Sequence, residues 1–190
     1  MTLSLGTNCG FVLTAPTADP DGAISFTVDN TARCQRDTSP ATATSVTEIG
    51  WYTNSATEES NFEVCIYSDD GSIGAGAPDV IIGSASITNA KGTTAGWKKS
   101  TGLDIAISPN TKYWIGLQCD DNTATNTIID LDDLNDEYYY FAFNQTELPD
   151  PYVGNVGHNR IIAIYAKYST ATQPTIQGIN SISGVTSLTI

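Results

Sequence analysis

Positive charge is scarce in this chain. Eight Lys and Arg stand against twenty-one Asp and Glu over 190 residues, a net charge of −13. Between Tyr113 and Asn159 there is no Lys or Arg, while nine Asp and Glu fall there. A surface that tracks phosphates needs clustered cations, so neither nucleic acid nor an anionic membrane is expected as a partner. The acidity itself reads as solubility and mutual repulsion.

Histidine is nearly absent, with His158 the single copy, in the Gly-rich segment 154–159. A Ser or Cys nucleophile needs a base within reach, and a lone loop histidine is usually a solvated polar residue. The chain has no Gly-x-Ser-x-Gly, no phosphate-cradling glycine loop and no His-Glu-x-x-His, so no enzymatic activity is expected. The four cysteines, Cys9, Cys34, Cys65 and Cys119, form no Cys-x-x-Cys pair, and one histidine does not complete the usual zinc sets. Cys65 and Cys119 fall inside predicted strands and read as buried small hydrophobes. Cys9 and Cys34 lie near predicted turns, where a bridge stays open.

Long apolar runs are missing too, none approaching the ~18 residues of a membrane span. Met1-Thr2-Leu3-Ser4-Leu5-Gly6 has no basic flank, no long apolar core and no small-residue cleavage site. No export leader is therefore expected, and the product should be made in a cytoplasm. Yet Thr, Ser and Asn abound, charged residues are few and β-branched content is high, the composition of an exported surface protein. A virion protein reconciles the two, because particles leave by lysis rather than secretion.

What the chain does have is a train of short strand signals. They fall at residues 11–14, 24–28, 46–53, 62–67, 80–87, 103–107, 113–119, 127–131, 138–143 and 161–168. Turn chemistry separates them at Asp19-Pro20-Asp21-Gly22, Ser39-Pro40, the Gly-rich stretch 68–78, residues 91–96 and Ser108-Pro109-Asn110-Thr111. Alternation puts Phe62, Val64 and Ile66 on one face and Glu63, Cys65 and Tyr67 on the other. Leu103, Ile105 and Ile107 alternate with polar or small residues in a half-buried pattern. Residues 130–144 leave a helical turn open, through Leu131, Leu134, Tyr138 and Phe141, but Tyr-rich β-propensity favours a strand. Spacing of about ten residues between turns predicts an all-β antiparallel sandwich, jelly-roll or immunoglobulin-like, over residues 1–168, with N-terminal strands in 1–30 packing on it.

Residues 169–190 form a C-terminal extension of distinct composition. An Ile-x-Gly-Ile-Asn-Ser sequence from Ile176 is echoed as Ile-x-Gly-Val-Thr-Ser from Ile182. Two copies are too few for a solenoid. An apolar, uncharged tail should be buried on its own sandwich or on a neighbour. Ile176, Ile179, Ile182 and Val185 are thus the expected interaction residues of an anchoring or oligomerisation arm.

Carboxylate pairs occur at Asp69-Asp70, Asp120-Asp121 and Asp132-Asp133. Sequence adjacency does not supply the facing carboxylates of a glycosidase. Calcium at Asp69-Asp70-Gly71-Ser72 or Asp120-Asp121-Asn122-Thr123 is the functional reading, since hard cations take loop oxygens. Turn residues bonding their own backbone is the simpler one, and no cofactor is expected. The aromatics raise a glycan hypothesis, with Trp51, Tyr52, Trp97 and Tyr138–Tyr140 available. Trp51 and Trp114 lie within strands beside aliphatics and should be core. The Tyr138–Tyr140 run, as a strand, should put rings on both faces with some ring surface exposed.

Read whole, the sequence resembles a family of β-sandwich proteins of uncharacterised role encoded by tailed bacteriophages and frequent in environmental viral sequence. The resemblance is carried by Thr7-Asn8-Cys9-Gly10-Phe11-Val12, Ala15-Pro16-Thr17-Ala18-Asp19-Pro20, Ser39-Pro40-Ala41-Thr42 and Val46-Thr47-Glu48-Ile49-Gly50-Trp51-Tyr52. It continues through Asn61-Phe62-Glu63-Val64, Asn89-Ala90-Lys91-Gly92-Thr93, Ala95-Gly96-Trp97-Lys98, Tyr113-Trp114-Ile115-Gly116-Leu117-Gln118 and Ala163-Ile164-Tyr165-Ala166. It covers most of residues 2–168, supplies no catalytic residue to transfer, and departs from the family in carrying four cysteines. It implies a virion structural protein: a capsid decoration (cement) protein docked on the major capsid protein, or a tail or fibre component. Other virion proteins or sister copies would be its partners, in a homo-oligomer such as a trimer. A carbohydrate- or receptor-binding module is the alternative.

Overall fold

The computed structural model describes residues 1–21, 24–27, 30–55, 62–72, 74, 76–87, 95–119, 126–130, 138–158 and 160–171. Among the described residues it contains thirteen strands and no helix: β1 (Gly10–Val12), β2 (Ile24–Thr27), β3 (Thr31–Thr38), β4 (Ala43–Ser55), β5 (Phe62–Asp69), β6 (Pro78–Ile87), β7 (Gly96–Ala106), β8 (Lys112–Cys119), β9 (Asn126–Asp130), β10 (Tyr138–Phe143), β11 (Asn155–His158), β12 (Ile161–Ile162) and β13 (Ile164–Thr170). They form two sheets. The first runs β1-β13-β4-β9-β12, with β7 also pairing β4 and β2 pairing β9; the second runs β11-β10-β3-β8-β5-β6. Pairing is antiparallel throughout except between β1 and β13. The all-β sandwich expected from strand spacing is what the chain forms.

Alternation decides which side chains fill the space between the sheets. Phe62, Val64 and Ile66 of β5 enter one core with Tyr113, Ile115 and Leu117 of β8, Trp51 and Ile49 of β4, and Ile162 and Ile164. The Trp51 and Phe62 rings meet at 4.9 Å. On β4, Val46 and Ile49 are three apart yet both in this core. Thr47 is skipped in the ladders to β7 and β13, and a bulge of that kind restores the facing of the residues beyond it.

The predicted turns at Ser39-Pro40 and Ser108–Thr111 meet in space. Ser39 N–H donates to Thr111 O and Asn110 N–H to Ser39 O. The Ser39 hydroxyl donates to Ser108 O at 2.6 Å and accepts from Thr111 N–H at 3.0 Å. Asn110 takes φ 51° there, a conformation asparagine tolerates.

Two elements were not expected. β3 replaces what read as a connection, and it places Cys34 inside a strand rather than near a turn. The reason is its inverted pattern. Ala32 and Cys34 face outward under a covering segment, while the alternate residues Arg33, Gln35 and Asp37 pair with core-facing Leu117, Ile115 and Tyr113. Those inward polar groups serve the opposite sheet: Ile162 N–H donates to Gln35 Oε1 at 2.9 Å, and Phe11 N–H to Asp37 Oδ2 at 2.7 Å. β11 forms in the segment that read as a Gly-rich loop, pairing residues 155–158 with β10. β7 begins at Gly96, well before its expected start, so Trp97 stands on a strand. Residues 138–143 are strand, not helix. Beyond Ala171 the tail lies outside the described residues, as do Ile176, Ile179, Ile182 and Val185.

Candidate functional site

The outer face of the first sheet carries the most distinctive side-chain arrangement. Antiparallel register sets Tyr165, Gly50 and Lys99 in one cross-strand row, and Tyr52 opposite Trp97 in the next. Gly50 is required there, because a Cβ would lie 2.3 Å from the Tyr165 ring. The ring crosses β4 and meets Trp97 at 5.4 Å, edge to face. The Tyr165 hydroxyl donates to Glu48 Oε1 at 2.6 Å, and Lys99 Nζ stands 3.6 Å from Glu48 Oε2. Burial, and then the Glu48 carboxylate, push the Tyr165 phenol well above its ordinary range, so it stays a donor at any ordinary pH.

Residues 1–21 cover much of this face. Leu3, Leu5 and Cys9 pack with Tyr52, Trp97, Ile161 and Ala163. Trp97 is pinned by an edge contact to Tyr52 at 5.5 Å and by Nε1–H donation to Ala18 O at 3.0 Å. The Tyr52 hydroxyl bonds Asp19; burial first, then that carboxylate, raises its pKa. The cover stops short of closing. A groove of about 380 Å³ remains between Ala15, Pro16, Thr17 and Asp19 on one side and Gly96, Trp97, Lys99 and Tyr165 on the other.

The outer face of the second sheet is sealed instead. Residues 144–154, with a cis Asp150–Pro151 peptide, lie across it as a strap. Leu148 and Tyr152 pack on Ala32, Cys34, Cys65, Tyr67, Trp114 and Ala142. Leu148 N–H donates to Glu63, Tyr67 O–H to Pro149 O, Ile81 N–H to Asp150, and Tyr152 O–H to Ala32 O. Further bonds join Tyr152 N–H to Asp79 O, Gln145 N–H to Asn30 O, and Gln118 Nε2 to Gln145 O. Cys34 and Cys65 both stand opposite Gly116, on its two sides. They are free thiols, and Cys9 is buried as well. Burial pushes both Cys34 and Cys65 well above the ordinary thiol range, so neither is a nucleophile in the folded protein.

The residues singled out in the sequence sort clearly. Trp51 and Trp114 are fully buried, and Cys65 is a buried small hydrophobe, as their strand contexts implied. Tyr139 is buried between the sheets, and Tyr140 is half-buried over Trp114 at 5.0 Å. Asp69 and Asp70 make local turn bonds. Asp70 Oδ1 accepts from Ser72 N–H, the Ser72 hydroxyl and Ala77 N–H. Those donors hold its carboxyl below its ordinary value. Asp69 accepts from Gly71 N–H and Trp114 Nε1–H. Among the described residues no three His, Cys, Asp or Glu gather as metal ligands. Asp120, Asp121, Asp132, Asp133 and the side chains of His158, Cys119 and Tyr138 lie outside the described residues.

Sequence reading reached Trp97 but missed Lys99, Glu48, Tyr165 and Asp19 beside it. Alternation after Gly96 would have put Trp97 and Lys99 on one face. Nothing local says that β4 and β13 bring Glu48 and Tyr165 alongside. No family model, no curated protein and no solved structure matches this chain.

Proposed function

We propose that this chain is a non-enzymatic structural protein of a virus particle, a capsid decoration protein in the first place and a tail or fibre component in the second. The observation that carries the reading is how its carboxylates are used. Asp37 ties β1 to β3, Glu63 and Asp150 tie the strap to the second sheet, Asp69 holds the Trp114 ring, and Glu48 holds Tyr165. Acids that could serve proton transfer are instead fasteners between chain segments, which suits a part that bears load rather than turns over substrate. The acidic surface, poor in Lys and Arg, fits a particle exterior, and the resemblance of residues 2–168 to phage sandwich proteins points the same way.

Two places offer contact to the major capsid protein or to sister copies. Val80 and Ile82 are exposed on the edge strand β6, and Phe143, Val153 and Val156 are exposed at the β10–β11 edge. Edge strands with apolar side chains are natural pairing surfaces. The test is quantitative mass spectrometry of purified particles of the virus that encodes the chain. Hundreds of copies per particle are expected for decoration, and a few to a few dozen for a tail or fibre part. Absence from the particles would overturn both.

A further inference from the structure

We infer that the groove between residues 15–19 and the outer face of β7 is a binding site for one neutral pyranose unit of a glycan. Its volume, about 380 Å³, falls at the small end of the range of roughly 300–1,000 Å³ typical of small-molecule sites. Its walls are of two kinds. Trp97 is half-buried and leaves part of its indole to the groove, while Tyr165, only 1% exposed, backs it from beneath. Facing them are the exposed Asp19 and Thr17, with Lys99 on the rim.

The charge arrangement selects the ligand class. A cation would meet the Lys99 ammonium, and an anion would meet Asp19 within a chain of net charge −13. A neutral ligand with an apolar face and a rim of hydroxyls satisfies both walls. Sugar C–H groups pack on the open part of the Trp97 indole, while hydroxyls accept from Lys99 and donate to Asp19. Lys99 retains donors for this, since an ammonium has three and its side chain is 55% exposed despite its contact with Glu48.

The site is also rigid before any ligand arrives. Tyr165 is fixed by Glu48 and by the close approach to Gly50, and Trp97 by Ala18 O, Tyr52 and Tyr165. Little side-chain freedom remains to be lost on binding, and that loss is the usual toll on weak polar ligands. On the second sheet the strap covers the aromatic cluster instead.

The test follows the indole N–H signals of the ¹⁵N-labelled full chain during titration. The probes are the methyl glycosides of glucose, galactose, mannose and N-acetylglucosamine, together with cellotriose and maltotriose. The chain has three tryptophans, and Trp51 and Trp114 are fully buried. The expected result is saturable movement of the Trp97 signal with at least one probe, the other two staying in place. Trp97→Phe should weaken that probe by about tenfold, in keeping with the energy of an aromatic face contact. Thr17→Val changes only an exposed rim group, and Lys99→Met removes a rim donor together with its ion pair to Glu48; each should weaken it by about threefold. These two carry the test if Trp97→Phe disturbs the cover. Failure of all probes to move the Trp97 signal at about 50 mM, far above a weak dissociation constant, would overturn the site. So would a probe whose affinity is unchanged in both rim variants.

Discussion

The two outer faces of this sandwich are covered by the same chain in different ways. The strap over the second sheet is bonded along its length, at residues 145, 148, 149, 150 and 152. It ends up flush over a cluster of thiols and rings. The N-terminal cover over the first sheet is held by apolar side chains early on and by Asp37 at β1, and then runs past Trp97 through Ala15 and Pro16. Proline brings no N–H to the sheet, and the cover stands off there. Closely spaced bonds seal the strapped face, whereas past Pro16 the cover is held to the sheet at Ala18 and Asp19 and a groove stays open beside Trp97.

The largest expected effect is on the sealed face. Tyr152→Ala removes a ring packed against Tyr67 at 5.3 Å and Tyr140 at 6.1 Å, together with its bond to Ala32 O. It should destabilise the fold by about 3–5 kcal/mol in denaturant unfolding, the usual range for aromatic truncation in a core. A loss under about 1 kcal/mol would mean that the strap is not a structural lid.

pH separates the covers next. Burial raises the Asp37 carboxyl from 3.8 to about 6, against the pull of the Phe11 and Thr38 N–H groups. The folded state therefore binds this proton more tightly than the unfolded chain. The stability linked to it is fully present below pH 3.8 and is lost as pH rises through about 6. The gap converts to roughly 3 kcal/mol. In unfolding experiments from pH 4 to 7, Asp37→Asn should flatten this fall relative to the parent. Identical pH profiles would refute the assignment.

Gly116 and Gly50 sharpen the comparison at smaller scale. An added Cβ at Gly116 would meet Cys65 Sγ at 2.6 Å and the Tyr67 ring at 2.9 Å; at Gly50 it would meet the Tyr165 ring at 2.3 Å. Overpacking of this kind costs about 1–3 kcal/mol. Gly116→Ala should fall at the upper end, because the strap blocks relief. Gly50→Ala should cost no less, because the Tyr165 ring is fully buried and held by Glu48 and Trp97. A loss under about 1 kcal/mol at either glycine would contradict the close packing assigned to its face. Smallest in energy, but sharp as a readout, is thiol chemistry. Cys34 and Cys65 should resist a thiol reagent in the native state and react on unfolding, and rapid native labelling of either would break the seal.

Much of the fold was legible because strand alternation is local. β5 shows this best, its Phe62, Val64 and Ile66 facing as read. β3 was not legible, because its inward residues are Arg33, Gln35 and Asp37, whose purpose appears only once β12 and β1 lie opposite. The Ser39-Pro40 and Ser108-Pro109 turns were each readable, but their meeting was not. At the groove, Trp97 could be proposed from its type alone. Glu48 and Tyr165 lie 117 residues apart, and only register brings them together.

Acrylamide quenching of tryptophan fluorescence in the native full chain tests the unequal covering of the two faces most directly. One indole of three, lost in Trp97→Phe, should be reachable by quencher while the other two stay dark to it until unfolding. Equal protection of all three, or access to Trp114 beneath the strap, would contradict the account.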